Sequence, residues 1–250
     1  MKVTIITVCY NAVAHIDETL RSVVMQDHRD IELIVIDGGS GDGTQQKIER
    51  YREVIAHAVS EKDSGVYDAM NKGLRLATGE VIAFVNAGDM IARRDVVSSM
   101  VKEFGREHAD LIYGDALMVD PADITKVKRF WKGGEYKRNN FRKGWMPPHL
   151  ATYIRRSAYE RFGHFRSDLK VSADYELMFR LLYKHRLPAR YVPKVLVRFR
   201  LGGVSNRSLG HIWRANVDVY KAWKLNGERI SPLIVVRKPL GKLLQYFSRS

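Results

Sequence analysis

The chain has 250 residues, 45% of them hydrophobic, with one cysteine and a formal net charge of +14. This composition excludes a disordered chain and a disulfide-stapled secreted domain, and the length suffices for one large domain or two small ones. The charge is uneven: residues 184–250 hold 15 Lys and Arg against two acids, while residues 1–183 are near neutral, an asymmetry that points to an anionic partner.

The opening run VTIITVCY at 3–10 is short, apolar and β-branched, and predicts a buried strand. Cys9 within it reads as a small buried hydrophobe rather than a nucleophile, with no basic partner near it in sequence. This run lacks a small-residue cleavage site, and no run approaches the roughly 20 apolar residues that span a bilayer. The expectation is a cytoplasmic protein, or one held peripherally at the inner face of the cell membrane.

Apolar residues at Ile16, Leu20, Val23 and Val24 have helical spacing. IELIVIDGGSGDGT is a second buried strand running into a Gly/Asp/Ser turn, and TQQKIERYREVIA at 44–56 predicts a helix with Thr44 as its N-cap. Gly79 is expected to stop the next helix, and VIAFVNAGD is a third strand with a polar end. DVVSSMVKEFGREH and ADLIYGDALMV predict a helix and a strand. Residues 120–148 are rich in basic, aromatic, Gly and Pro residues and read as a loop-rich connection or a mobile flap. SADYELMFRLLYKH predicts a helix capped by Ser172, YVPKVLVRFRLGG a last strand, and 211–225 and 232–247 two C-terminal helices. The alternation implies an α/β fold with a mostly parallel sheet flanked by helices.

In such sheets ligands bind beyond the carboxyl ends of the strands. Three strands end there in polar groups: Tyr10-Asn11, Asp37-Gly38-Gly39-Ser40 and Asn86-Ala87-Gly88-Asp89. The segment SEKDSGVYDAMNKG at 60–73 borders the same edge and brings Asp63, Tyr67, Asp68, Asn71 and Lys72 toward it. Each feature alone has two readings. GGSGDGT suits either close backbone approach to an anion or a tight turn with a helix cap. Asp89 suits a hard cation or a turn hydrogen bond. Asp174 suits a general base or a complement to a helix dipole, and His149 a ligand or a loop residue. Absence of G-x-G-x-x-G after the first strand speaks against a nucleotide-dependent dehydrogenase.

Taken in order, TVCYNA, VIDGGSGDGT, DSGVYDAMNKG, FVNAGD, YGD, HLATYIRR and SADYELMFRL resemble the family 2 inverting glycosyltransferases, in particular bacterial exopolysaccharide (colanic acid-type) and glycolipid transferases. The resemblance covers about residues 3–205. It implies a GT-A fold at 1–205 with a basic helical extension at 206–250, a nucleotide-sugar donor (a UDP-sugar favoured), and a divalent cation, Mn²⁺ or Mg²⁺. Carried over, Asp174 is the catalytic base and Asp89 the metal-binding carboxylate. Thr7, Tyr10, Asn11, Asp37, Asp63, Lys72, Asn86 and Gly88 border the donor nucleotide, with Lys72 pairing either with a phosphate or with an acid of the cleft. Beyond the resemblance, Asp115 and His149 are expected either on the acceptor side or as cleft-wall hydrogen-bonding groups, and Arg198, Arg200 and Ser205 either close over the phosphates or form a basic strand edge followed by a turn. Three departures stand out: Ala173 replaces the Glu of the family's Glu-Asp pair, Gly38 replaces a common second Asp, and Asn86 and Gly88 replace acids of its D-x-D-type motif. Q-x-x-R-W is absent, which implies transfer of one sugar without polymerisation. The expected acceptor is a saccharide or lipid-linked saccharide in cell-surface polysaccharide biosynthesis. The expected partner of the basic tail is an anionic membrane surface, with Trp213, Trp223, Tyr246 and Phe247 at the interface, and not nucleic acid. The alternative is a basic α/β protein that binds nucleic acid or membrane without catalysis.

Overall fold

The computed structural model describes residues 1–202 and 209–231, with the side chains of 209–213 excepted. Ser205, the domain boundary expected at 205/206, the helix expected at 232–247 with Tyr246 and Phe247, and the side chain of Trp213 lie outside what is described.

Strands β1 (Val3–Cys9), β2 (Ile31–Asp37) and β4 (Val81–Phe84) are almost wholly buried. Their near-continuous apolar, largely β-branched composition suits strands covered on both faces. They pair in parallel, Cys9 level with Asp37 and Ile6 level with Phe84. Ala87 then donates its N–H to the Val8 carbonyl at 3.0 Å. All three polar tips therefore reach the same edge of the sheet.

The remaining strands are β3 (Ile55–Ser60), β5 (Met90–Ile91), β6 (Leu111–Val119), β7 (Val127–Trp131), β8 (Thr152–Arg155) and β9 (Ala189–Arg200). The sheet order is β3-β2-β1-β4-β8-β6-β9-β5, with β7 beside β6. The sheet is mixed, where a mostly parallel one was expected. β8 runs antiparallel to both β4 and β6, while β6 and β9 are parallel. Periodicity identifies a strand but carries no information on its direction.

The helices are α1 (Ile16–Val24), α2 (Thr44–Glu49), α3 (Val66–Leu76), α4 (Val96–Arg106), α5 (Arg156–Phe162), α6 (Ala173–Met178) and α7 (Leu209–Leu225). The helix expected over 44–56 stops at Glu49, and its last residues begin β3, a sheet-edge strand whose side chains are largely exposed. Such a strand has no apolar alternation to betray it, and pairing with β2 decides its state. Gly43, at φ +96°, occupies the N-cap position expected for Thr44. Thr44 instead accepts the Ala12 N–H at 2.8 Å and donates to Asp42 Oδ1 at 2.5 Å, joining two loops of the cleft. Ala77 caps α3, so Gly79 is not the stop. Gly79 is required by close approach: a Cβ there would lie 2.6 Å from Thr4 Oγ1.

Residues 120–148 are loop-rich, as one reading expected, but the segment is anchored at two points. β7 pairs with β6, and a 3₁₀ turn at Arg138–Lys143 buries Phe141 completely. Tyr136, Trp145, Tyr175, Phe179 and Tyr183 surround that ring at centroid distances of 5.4–6.4 Å. Aromatic burial of this kind outweighs the loop-forming composition. α6 continues into a π-helical turn at Phe179–Lys184, and α7 packs against it. Trp223, expected at a membrane interface, is fully buried against Phe179 at 4.4 Å and Tyr183 at 4.8 Å. No helix among the described residues is long and apolar enough to cross a membrane.

Candidate active site

The cleft forms where β1, β2 and β4 end. After β1 the chain turns at Asn11, whose φ of 46° lies in the left-handed region that Asn tolerates. Its N–H donates to Ser40 Oγ at 2.7 Å, and its Oδ1 accepts the Gly41 N–H at 3.1 Å. The β1 and β2 loops are thereby locked together. Tyr10 stands 67% exposed at the mouth. A Cβ on Gly38 would lie 2.9 Å from Asp63 Oδ2 and 3.3 Å from the Tyr10 ring, so glycine keeps this part of the mouth open.

Asp37 lies beneath the mouth and is only 1% exposed. Ser60 Oγ donates to its Oδ2 at 2.6 Å and the Ser40 N–H at 3.0 Å, while Ser40 Oγ and Cys9 Sγ donate to Oδ1. Burial alone would push this carboxyl up, but the Ser40 and Ser60 bonds outweigh it and hold it below its ordinary value. Asp37 thus organises the turn. Burial and the Asp37 charge push the Cys9 thiol up, consistent with an inert cysteine.

The segment 60–73 divides its polar residues between scaffold and cleft. Asp68 accepts the Ser64 N–H at 3.0 Å, closing the start of α3. Asn71 clamps Phe165 at two points: its Nδ2 donates to the Phe165 carbonyl at 2.9 Å and its Oδ1 accepts the Phe165 N–H at 3.0 Å. Lys72 pairs with Asp63 at 2.5 Å and Glu61 at 2.8 Å. It therefore fixes Asp63 at the rim. Tyr67 reaches the start of α6, donating to the Val171 carbonyl at 2.8 Å with Asp174 Oδ1 at 3.1 Å.

The turn after β4 is built by Thr19, whose Oγ1 accepts the Gly88 N–H at 3.0 Å and donates to the Asp89 carbonyl at 2.8 Å. Gly88 adopts φ +99°, a conformation that side chains rarely take. The Asp89 carboxylate is 9% exposed, and the Arg200 N–H donates to its Oδ1 at 3.3 Å. Burial pushes Asp89 up to about 8, with the Arg200 N–H and charge acting the other way. The Arg200 guanidinium pairs with Glu18 and donates to the Pro121 carbonyl at 3.0 Å.

Several buried polar atoms at this edge lack a hydrogen-bond partner among the described residues: Thr7 Oγ1, Asn86 Oδ1, His149 Nε2, Arg198 Nε and Arg200 Nε. Such atoms are rare in interiors because each carries a desolvation cost. His149 lies between Phe84 at 5.5 Å and Phe165 at 5.3 Å; burial pushes it down, and the Asp174 charge opposes this. Asp115 is committed to structure on its Oδ1, which accepts the Gly133 N–H and the Tyr191 hydroxyl, both at 2.8 Å.

On α6 the two acids differ. Glu176 is 1% exposed and bound by Arg180 on both oxygens at 3.0 Å and by Asn226 at 2.9 Å. Asp174 has Oδ1 tied to Tyr67 and to the Tyr175 N–H at 2.8 Å, and its Oδ2 accepts no hydrogen bond among the described residues. Ser172 occupies the N-cap position of this helix, as expected, but its hydroxyl donates to the Ala215 carbonyl at 3.1 Å rather than accepting from the first turn. Sequence reasoning assigned no role to Thr19, Glu18, Ser40 or Ser60. Thr19, Glu18 and Ser60 have partners distant along the chain and so no local signal; Ser40 lies three residues after its partner Asp37, a turn spacing that the sequence does carry.

No group of three or more His, Cys, Asp or Glu is gathered for a metal among the described residues. Asp89 and the unpaired Asn86 Oδ1 nonetheless supply hard oxygen donors beside arginines, which suits a small divalent cation that shares its shell with phosphates.

A family model described as "Glycosyl transferase family 2" matches residues 4–163. The chain is 30% identical over 210 residues to a "PGL/p-HBAD biosynthesis glycosyltransferase" of Mycobacterium bovis (strain BCG / Pasteur 1173P2), covering 81% of this chain and 78% of that one. It is 29% identical over 237 residues to an uncharacterized glycosyltransferase of Mycobacterium tuberculosis (strain CDC 1551 / Oshkosh), covering 92% and 88%. Among solved structures it is similar to S. aureus TarS, with TM-score 0.68 and 20% identity over 100% of this chain and 44% of that chain. TarS 1–349 in complex with UDP-GlcNAc gives 0.68 at 19% identity, over 100% and 74%. The mannosyltransferase PcManGT from Pyrobaculum calidifontis, in complex with GDP-Man and Mn²⁺, gives 0.66 at 22%, over 98% and 69%. At these identities the structural likeness concerns the fold, which is that of the GT-A glycosyltransferases.

Proposed function

The chain belongs to glycosyl transferase family 2 and is a glycosyltransferase; from that premise we propose that it moves one sugar, with inversion, from a nucleotide-sugar donor to a saccharide or lipid-linked saccharide acceptor. The observation that carries this reading is the contrast at α6: Glu176 is fully bound, while among the described residues nothing donates to Asp174 Oδ2.

Asp174 Oδ2 takes the proton of the acceptor hydroxyl as that oxygen attacks the anomeric carbon. Asp63, set by Lys72, and Tyr10 border the nucleoside at the mouth, with Gly38 leaving room between them. Asp37 acts beneath them by holding Ser40 and Ser60. Arg198 and Arg200 offer unsatisfied guanidinium donors to the diphosphate, and Glu18 keeps Arg200 paired until the donor arrives. Asp89 and Asn86 would hold a divalent cation, Mn²⁺ or Mg²⁺, which when bound neutralises charge developing on the leaving diphosphate. The neighbours named with UDP-GlcNAc and with GDP-Man and Mn²⁺ support a nucleotide-sugar donor and a cation; a UDP-sugar is the favoured donor. The basic excess after residue 184 suits an anionic membrane surface at the acceptor side.

The test is thermal unfolding with UDP, GDP, dTDP and CMP, each with and without Mn²⁺. Binding to the folded state raises Tm by linkage. The expected result is a rise with one nucleotide that requires both the cation and Asp89. A folded protein unmoved by every nucleotide would count against the reading.

A further inference from the structure

Asp174 receives a hydroxyl from a residue 107 positions away in the chain. The Tyr67 ring stacks on Phe165 at 5.6 Å, and the Asn71 clamp on the Phe165 backbone holds that ring in place. This sets the phenol oxygen 2.8 Å from the Val171 carbonyl and 3.1 Å from Asp174 Oδ1. A phenol has one hydrogen to give, so it serves one of these acceptors fully at any moment.

We propose that Tyr67 is the positioning residue of the general base: it holds Asp174 Oδ1 while the carboxylate is charged and turns to the Val171 carbonyl once Asp174 has taken the acceptor proton. The inference rests on the assignment of Asp174 as base. Two constraints support it. With Oδ1 bound by Tyr67 and the Tyr175 N–H, only Oδ2 is open to the acceptor hydroxyl, which fixes the direction of proton transfer. When the proton arrives on Oδ2, Oδ1 loses its charge and becomes a weaker acceptor. The Val171 carbonyl, already in range, then takes the phenol hydrogen, so no buried donor is left unpaired. The phenol itself stays protonated, because burial and then the Asp174 charge push it well above its ordinary value. Among the described residues His149 also feels the Asp174 charge, and its burial favours the neutral ring, so it does not compete as an ionic partner.

Tyr67→Phe keeps the stacked ring and removes only the hydroxyl. Transfer is followed as nucleoside-diphosphate release from UDP- and GDP-sugars, with a lipid-linked saccharide or water as acceptor. The expected outcome is a fall in kcat of about 10- to 100-fold, the worth of one hydrogen bond to a charged group. Donor KM and the nucleotide-dependent rise in Tm stay unchanged. A fall in kcat and nucleotide affinity together would reduce Tyr67 to a structural role and overturn the proposal. Wild-type kcat in Tyr67→Phe, with activity abolished by Asp174→Asn, would overturn the proposal and leave the base standing. Full activity in Asp174→Asn, or no release by the wild-type protein with any donor, would remove the base assignment and the proposal with it. If Tyr67→Phe does not fold, 3,5-difluorotyrosine at position 67 keeps the shape and alters the hydroxyl. An unchanged kcat with it would equally overturn the proposal.

Discussion

Two buried carboxylates stand at opposite ends of the parallel strands, and the fold treats them in opposite ways. Glu32, at the amino end of β2, is 4% exposed and saturated: Lys2 Nζ donates at 2.8 Å, Thr4 Oγ1 at 2.6 Å and the Thr78 N–H at 2.8 Å. Burial alone would raise it, but the bonds from Lys2, Thr4 and Thr78 win and hold it down at about 2. Asp89, at the carboxyl edge, is 9% exposed with one long backbone bond at 3.3 Å, and burial pushes it up to about 8. A buried charge is stable when its hydrogen bonds are complete and costly when they are not. The amino edge therefore serves stability. The carboxyl edge leaves oxygens and guanidiniums short of partners, the condition of a site that a ligand completes.

This contrast breaks first at Asp174→Asn, which should lower transfer by about 10² to 10⁴-fold, the usual worth of a general base, without moving Tm. Steady-state assays beside a melting curve check both halves. At the opposite edge, Glu32→Gln should cost about 2–3 kcal/mol of unfolding free energy in denaturant titrations and leave nucleotide binding intact. The Glu32 contribution also depends on pH with a defined sign. Its folded value is depressed below the ordinary 4.5, so the stabilisation is complete above 4.5 and is lost as the pH falls through about 2. Acid unfolding of wild type should show a loss of about 3 kcal/mol over that window that Glu32→Gln lacks. A smaller effect is expected from Arg200→Ala, about 10-fold weaker nucleoside-diphosphate binding by calorimetry on an intact fold. The smallest is Asp89→Asn without added cation. Replacing an under-bonded buried carboxyl by a neutral amide should change stability by less than about 1 kcal/mol, or raise it, while the Mn²⁺-dependent rise in Tm disappears.

Much of the fold was legible along the chain. The β-branched runs at 3–9, 31–37 and 81–84 could only be buried strands, and parallel strands with polar tips place Asn11, Asp37 and Asp89 on one edge whatever lies between them. The same patterns could not reveal that β3 follows α2, because an exposed edge strand has no apolar period, nor that β8 reverses the sheet. Of the residues gathered in 60–73, sequence explained why they are polar and left Lys72 open between a phosphate and an acid of the cleft, but gave no partner for Tyr67 or Asn71. Asn71 clamps Phe165, Lys72 sets Asp63, and Tyr67 reaches Asp174 across 107 residues. Whether a polar side chain is free for a ligand depends on partners brought in from distant segments. That is decided by packing in three dimensions, because a hydrogen bond depends on distance and direction in space and carries no trace in the local pattern of a chain.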